Sequence, residues 1–122
     1  MCLKDKRLRI EHGSLLSESR EDIQTLKQLG DRNCAKTQYI LPCLAEMNAR
    51  FDKEQAKWMQ AIHTYVNNNI PLGYWWWWTL WSLLNIMFAV MHPDNPSEAL
   101  TVEQAVIAYT YGSAYAEFKE NE

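Results

Sequence analysis

A chain of 122 residues has room for one domain with a moderate core. A net charge of −3 without any basic run excludes an electrostatic footprint for nucleic acid, and 48% hydrophobic with 22% charged residues excludes wholesale disorder. The basic start MCLKDKRLRIEHG has no apolar core and so is no signal peptide. Cys2, Cys34 and Cys43 lack zinc-knuckle or disulfide spacing, so reduced thiols and a cytoplasmic location are expected.

In chain order, Leu8-Arg9-Ile10-Glu11-His12 alternates apolar and polar residues and meets Gly13, which predicts a short strand with His12 at its carboxyl end. SESREDIQTLKQLG follows. Ser17 or Ser19 can cap a helix with an acidic first turn, Ile23, Leu26 and Leu29 form its inner stripe, and Gly30 stops it. NCAKTQYIL is a weakly patterned second strand ended by Pro42. From Asp52, a capping residue, Ala56, Met59, Ile62 and Val66 fall on one face of a helix that Asn67-Asn68-Asn69 closes. IPLGYWW reads as a third strand and TLWSLLNIMFAVM as an apolar helix opened by Thr79. A loop with two prolines follows, in which Asp94 and Glu98 are expected to cap the next helix. That helix opens on the capping-box pattern Thr101-x-x-Gln104, with Val102, Val106, Tyr109, Gly112 and Ala116 inside. Gly112 there lets another backbone come close. The order strand–helix–strand–helix–strand–helix–helix is that of an α/β fold with right-handed parallel crossovers, in a single domain over residues 1–122.

His12 is the titratable residue best placed for chemistry, because loops converge at the carboxyl ends of parallel strands. There an imidazole is either a ligand for zinc or another borderline divalent ion, or simply a hydrogen-bonded histidine at a strand end. His63, inside a helix, and His92, in a proline loop, have no ligand spacing to it and read as structural or solvent-facing. HExxH, P-loop, GxSxG, GxGxxG and CxxC motifs are all missing. The run from Ile70 to Met91 is uncharged and long enough to cross a bilayer. Pro71, Gly73 and Asn85 break it, however, and tryptophan prefers the interfacial belt, whereas this block of four would lie within the span. Stacking on single-stranded nucleic acid needs interleaved Lys and Arg, which this stretch lacks. Burial of a strand and a helix, with part of the patch exposed, is the favoured reading.

RIEHGSLLSESREDIQTLKQLG, KWMQAIHTYVNNNIPLGY, NIMFAVMHP and SEALTVEQAVIAYTYGSAYAEFKENE resemble, in order, pieces of the metal-dependent amidohydrolase superfamily. Among its members they look most like the subfamily that includes N-substituted formamide deformylases. The resemblance implies a partial (β/α) barrel of about three βα units plus a C-terminal helix, the last part of a (β/α)8 barrel. It implies that His12 is a metal-binding histidine of the sixth barrel strand and that the metal is a divalent ion such as zinc. The family's eighth strand continues PLGYGSDYP, where the aspartate is both ligand and proton shuttle. In this chain PLGY is followed by tryptophans, and Trp77 stands at the aspartate position. The seventh strand also departs from the family, which ends it on Gln-Pro where this chain has DRNCAKTQYILP; the resemblance makes Gln38 the remnant of that glutamine.

Hydrolysis at such a centre needs a metal-activated water and a carboxylate to accept and return its proton. An indole offers one N–H donor and no base. The expectation is therefore a truncated amidohydrolase-like segment that retains no metal and has no hydrolytic activity of its own. An interaction module is the alternative. Three strands without barrel neighbours would leave two open edges and an apolar face that includes the Trp-rich patch, to be covered by self-association or by a complementary barrel fragment. Neither nucleic acid nor a membrane is expected as a partner.

Overall fold

The computed structural model describes residues 9–12, 20–29, 32–35, 49–56, 58–74, 80–93 and 95–122. Its framework is a parallel three-stranded sheet of β1 (Arg9–His12), β2 (Arg32–Ala35) and β3 (Leu72–Gly73), in the order β1-β2-β3. Arg9 lies opposite Arg32 and His12 opposite Ala35, while Asn33 and Cys34 lie opposite Leu72 and Gly73. Their order and parallel direction agree with the βα reading. Helix α1 (Arg20–Leu29) makes the first crossover. Glu21 and Asp22 in its first turn and Lys27 in its last complement the helix dipole. Ile23 is buried and Leu26 half-buried, as the stripe requires. The expected caps at Ser17, Ser19 and Gly30, together with Gln38 and Thr79, lie outside the described residues.

The second crossover departs from the single helix expected after Asp52. Asp52 does cap it, its Oδ1 accepting the Glu54 and Gln55 amides at 3.0 and 2.8 Å. But α2 (Lys53–Ala56) is a single turn, and α3 (Ile62–Asn67) starts afresh. Between them Gln60 has a φ of 53°, which no right-handed helix accommodates. Its carbonyl is turned to meet His92 Nε2 at 2.9 Å. No glycine or proline announces this break; a contact made 32 residues away takes the carbonyl out of the helical ladder. Met59 and Ile62 are buried all the same and Val66 half-buried, so the pattern located the core and missed the helix break.

The asparagines close α3 as expected, through a Schellman motif. Asn69 sits at φ 56°, its amide reaches Val66 O at 3.0 Å, and the Ile70 amide reaches Tyr65 O at 3.0 Å. Tyr65 and Ile70 then pack together in the core with Ile23, Ile62, Leu72, Tyr74, Ala89 and Leu100. At the other end of α3 the capping expectation needs correction. Glu98 lies in a 3-10 turn (Pro96–Glu98) and does not cap the following helix. Its carboxylate accepts Thr64 N at 2.8 Å and Thr64 Oγ1 at 2.6 Å, stabilising the first turn of α3. Asp94 lies outside the described residues.

Helix α4 (Leu80–Met91) gives way to His92 in the left-handed region. The chain then enters α5 (Val102–Ile107) through the expected capping box. Gln104 N donates to Thr101 Oγ1 at 3.1 Å and Thr101 N to Gln104 Oε1 at 3.0 Å. Helix continues through a π-turn (Ala108–Gly112) into α6 (Ser113–Ala116). The inner face of this helix is rotated from the expected one. Val102 and Val106 are 62% and 40% exposed, while Ala105, Ala108, Gly112 and Ala116 are buried and Tyr109 is half-buried. The helix comes so close to β3 that only small side chains fit. A Cβ on Gly112 would stand 1.9 Å from Leu72 O, and one on Gly73 would stand 2.9 Å from Gly112 O. Over Leu72–Tyr74 the outer edge of β3 is therefore covered, where an open edge was expected. Ser113 Oγ donates to Tyr74 O at 2.7 Å and accepts Tyr74 N at 3.1 Å.

Candidate functional site at the carboxyl edge of the sheet

Because the strands are parallel, their carboxyl ends share one edge. His12 and Ala35 lie side by side there, and Tyr74 follows directly on Gly73. The backbone thus places His12 where the sequence analysis put it. Its imidazole, Trp77 and the other tryptophans of the run 75–78 lie outside the described atoms. Glu11 precedes His12, but adjacent strand positions face opposite sides of a sheet. Its carboxylate is paired with Arg9 Nε, and Arg9 Nη1 in turn reaches Glu117 Oε1 at 3.8 Å. Although no hydrogen bond of standard geometry reaches the Glu11 oxygens, the ion pair engages the group.

The other two histidines are structural. His92 is fully buried. Asn95 N donates to its Nδ1 at 3.3 Å, which leaves Nε2 to carry the proton given to Gln60 O. Both ring nitrogens are engaged in hydrogen bonds, which leaves neither for an ion. His63 bridges Ser97 O at 3.1 Å through Nδ1 and Asn67 Nδ2 at 3.0 Å through Nε2. Among the described residues no group of three or more His, Cys, Asp or Glu side chains could hold a metal ion. A catalytic zinc takes about three protein ligands, so the described donor set does not fit one.

Tyr74 is the feature of this edge that sequence reasoning missed. It is only 2% exposed, and its hydroxyl finds no hydrogen-bond partner among the described residues. Burial pushes the phenol well above the usual tyrosine range. The group is therefore a neutral donor in waiting and cannot serve as a base. Its ring lies 6.5 Å from that of Tyr109 at an interplanar angle of 34°. No residue pattern separates a tyrosine of this kind from an ordinary core aromatic.

Away from this edge, a groove of about 400 Å³ runs between the start of β3 and the last helix. It is lined mainly by Val66, Ile70, Leu72, Ile107, Tyr111 and Tyr115, with Asn69 and Gln104 as polar side chains in its wall. Leu83, Met87 and Met91 form an exposed apolar stripe along α4. Among the described residues no helix is long and apolar enough to cross a membrane.

A parallel βα segment of this kind defines a class, the α/β folds with a parallel sheet. Within it, the fold is similar to a segment of two metal-dependent hydrolases of known structure. An uncharacterized metal-dependent hydrolase from Pyrococcus furiosus matches 93% of this chain at 28% identity with a TM-score of 0.80. Another, from Pyrococcus horikoshii OT3, matches 93% at 23% identity with a TM-score of 0.76, a likeness of fold alone. The chain spans only 24% and 25% of the length of those two structures. No protein-family model matches the sequence, and no curated protein does.

Proposed function

We propose that the chain is a hydrolase-like segment, the last three βα units of a (β/α)8 barrel of the amidohydrolase kind, without hydrolytic activity of its own. The parent chemistry is metal-dependent hydrolysis of non-peptide C–N bonds, such as those of N-substituted formamides. The observation that carries this reading is the match of nearly the whole chain to a quarter of a metal-dependent hydrolase. The proposed inactivity is supported by the residues at the two family positions. His12 is the single site residue that the family resemblance assigns to the metal, and the same resemblance puts Trp77 at the position of the carboxylate that would shuttle the proton. The test is to assay the purified chain against N-formyl and other amide substrates with zinc or manganese present. Turnover at the uncatalysed rate is expected. Metal-dependent turnover that disappears in His12→Ala would overturn the proposal.

A second reading is favoured by the stripe of Leu83, Met87 and Met91 and by the apolar groove beside β3. These surfaces suit self-association or a complementary barrel fragment, since apolar patches of this kind are seldom left in water. Sedimentation over a hundredfold concentration range tests it; a monomer throughout, with no added fragment binding, counts against it.

A further inference from the structure

We propose that the last helix is an edge guard, which occupies the pairing edge of β3 and keeps another strand from adding there. In a parallel ladder the N–H and C=O groups of alternate residues point to opposite edges. Tyr74 exchanges both backbone groups with Ser113 Oγ, so Leu72 and Tyr74 face outward and Gly73 faces β2. A single hydroxyl, donating at 2.7 Å and accepting at 3.1 Å, thus does for Tyr74 what a neighbouring strand would do. The next outward carbonyl, Leu72 O, is covered by Gly112, whose lack of a Cβ makes the approach possible.

The helix is shaped for this contact. A π-turn over Ala108–Gly112 widens its ladder where it meets the strand, and Ser113 Oγ also lies 3.4 Å from Ala108 O. Turns of this kind inside α-helices recur at functional positions. An uncovered row of outward N–H and C=O groups is a template for pairing with another chain, and covering it with a helix is one of the ways proteins prevent this. The guard is local, since it needs only the Gly112–Ser113 pair against Leu72–Tyr74. An incoming strand would have to displace it.

The test uses the full chain, isotope-labelled, as wild type and as Ser113→Ala, which removes the hydroxyl and adds no bulk. Amide hydrogen exchange at Tyr74 and sedimentation against concentration are the two readouts. In the wild type the Tyr74 amide is expected to be protected. In Ser113→Ala it should exchange about tenfold faster, the scale of one lost hydrogen bond. The variant should also associate at a concentration about tenfold lower than wild type. A wild-type Tyr74 amide exchanging at the unstructured rate would overturn the proposal whatever the variant does. Wild-type exchange and association in Ser113→Ala would overturn it as well. So would faster exchange with unchanged association, since the hydroxyl would then hold one amide and guard nothing.

Discussion

Replacing Tyr74 with Phe removes one oxygen from the core and leaves the ring against Tyr109. The hydroxyl is buried and has no partner among the described residues, so in the wild type it has lost its water without replacement. An unpaired buried hydroxyl costs about 1–3 kcal/mol by mutational standards, and the small void left by its removal offsets part of the gain. Tyr74→Phe should therefore stabilise the chain by about 1 kcal/mol, or raise Tm by roughly 4 °C for a domain of this size. A pH dependence accompanies the change. Burial raises the folded-state pKa of Tyr74 above its unfolded value, so its contribution is fully present below about pH 10 and is lost as pH rises beyond that. The stability gap between Tyr74→Phe and wild type should widen by about 1.4 kcal/mol per pH unit above pH 10. Urea unfolding of both proteins at pH 7, 10 and 11 measures this directly. A variant less stable than wild type by 1 kcal/mol at pH 7, or a gap that stays constant up to pH 11, would refute the reasoning.

Gly112→Ala would drive a methyl group to within 1.9 Å of a backbone oxygen that cannot rotate away. A loss of about 2–4 kcal/mol is expected in chemical denaturation, and a change under 0.5 kcal/mol would contradict the close approach. Glu98→Ala deprives the first turn of α3 of an acceptor for both the amide and the hydroxyl of Thr64. That should destabilise by about 1–2 kcal/mol, with exchange at the Thr64 amide rising in step. At Asn69, φ of 56° favours glycine. Asn69→Ala should lower stability by about 1 kcal/mol and Asn69→Gly should leave it near wild type, as thermal melts of the pair would show.

The elements governed by local chemistry could be read from the sequence. The Thr101–Gln104 box, the Asp52 cap and the asparagine closure of α3 are all decided within a few residues of themselves, and each is present. What could not be read was decided over longer distances. Gln60 leaves the helical ladder because His92 takes its carbonyl, and Glu98 turns from the nearer helix to Thr64. The last helix shows a related failure. A periodicity count favours Val102 and Val106 as its inner residues, but the spacing to β3 admits only alanine and glycine, and the helix rotates accordingly. At the carboxyl edge the position of His12 followed from strand polarity, whereas the buried phenol of Tyr74 depends on how elements far apart in sequence close over it.

The most direct measurement is zinc binding by the isolated chain, by equilibrium dialysis with elemental analysis of the wild type and of His12→Ala. If His12 and Trp77 stand where the proposed function puts them, the chain should retain no stoichiometric zinc, and the two proteins should be indistinguishable. Stoichiometric zinc on the wild type that is lost in His12→Ala would mean that further donors converge on that strand end, and the chain would have to be regarded as a working metal site.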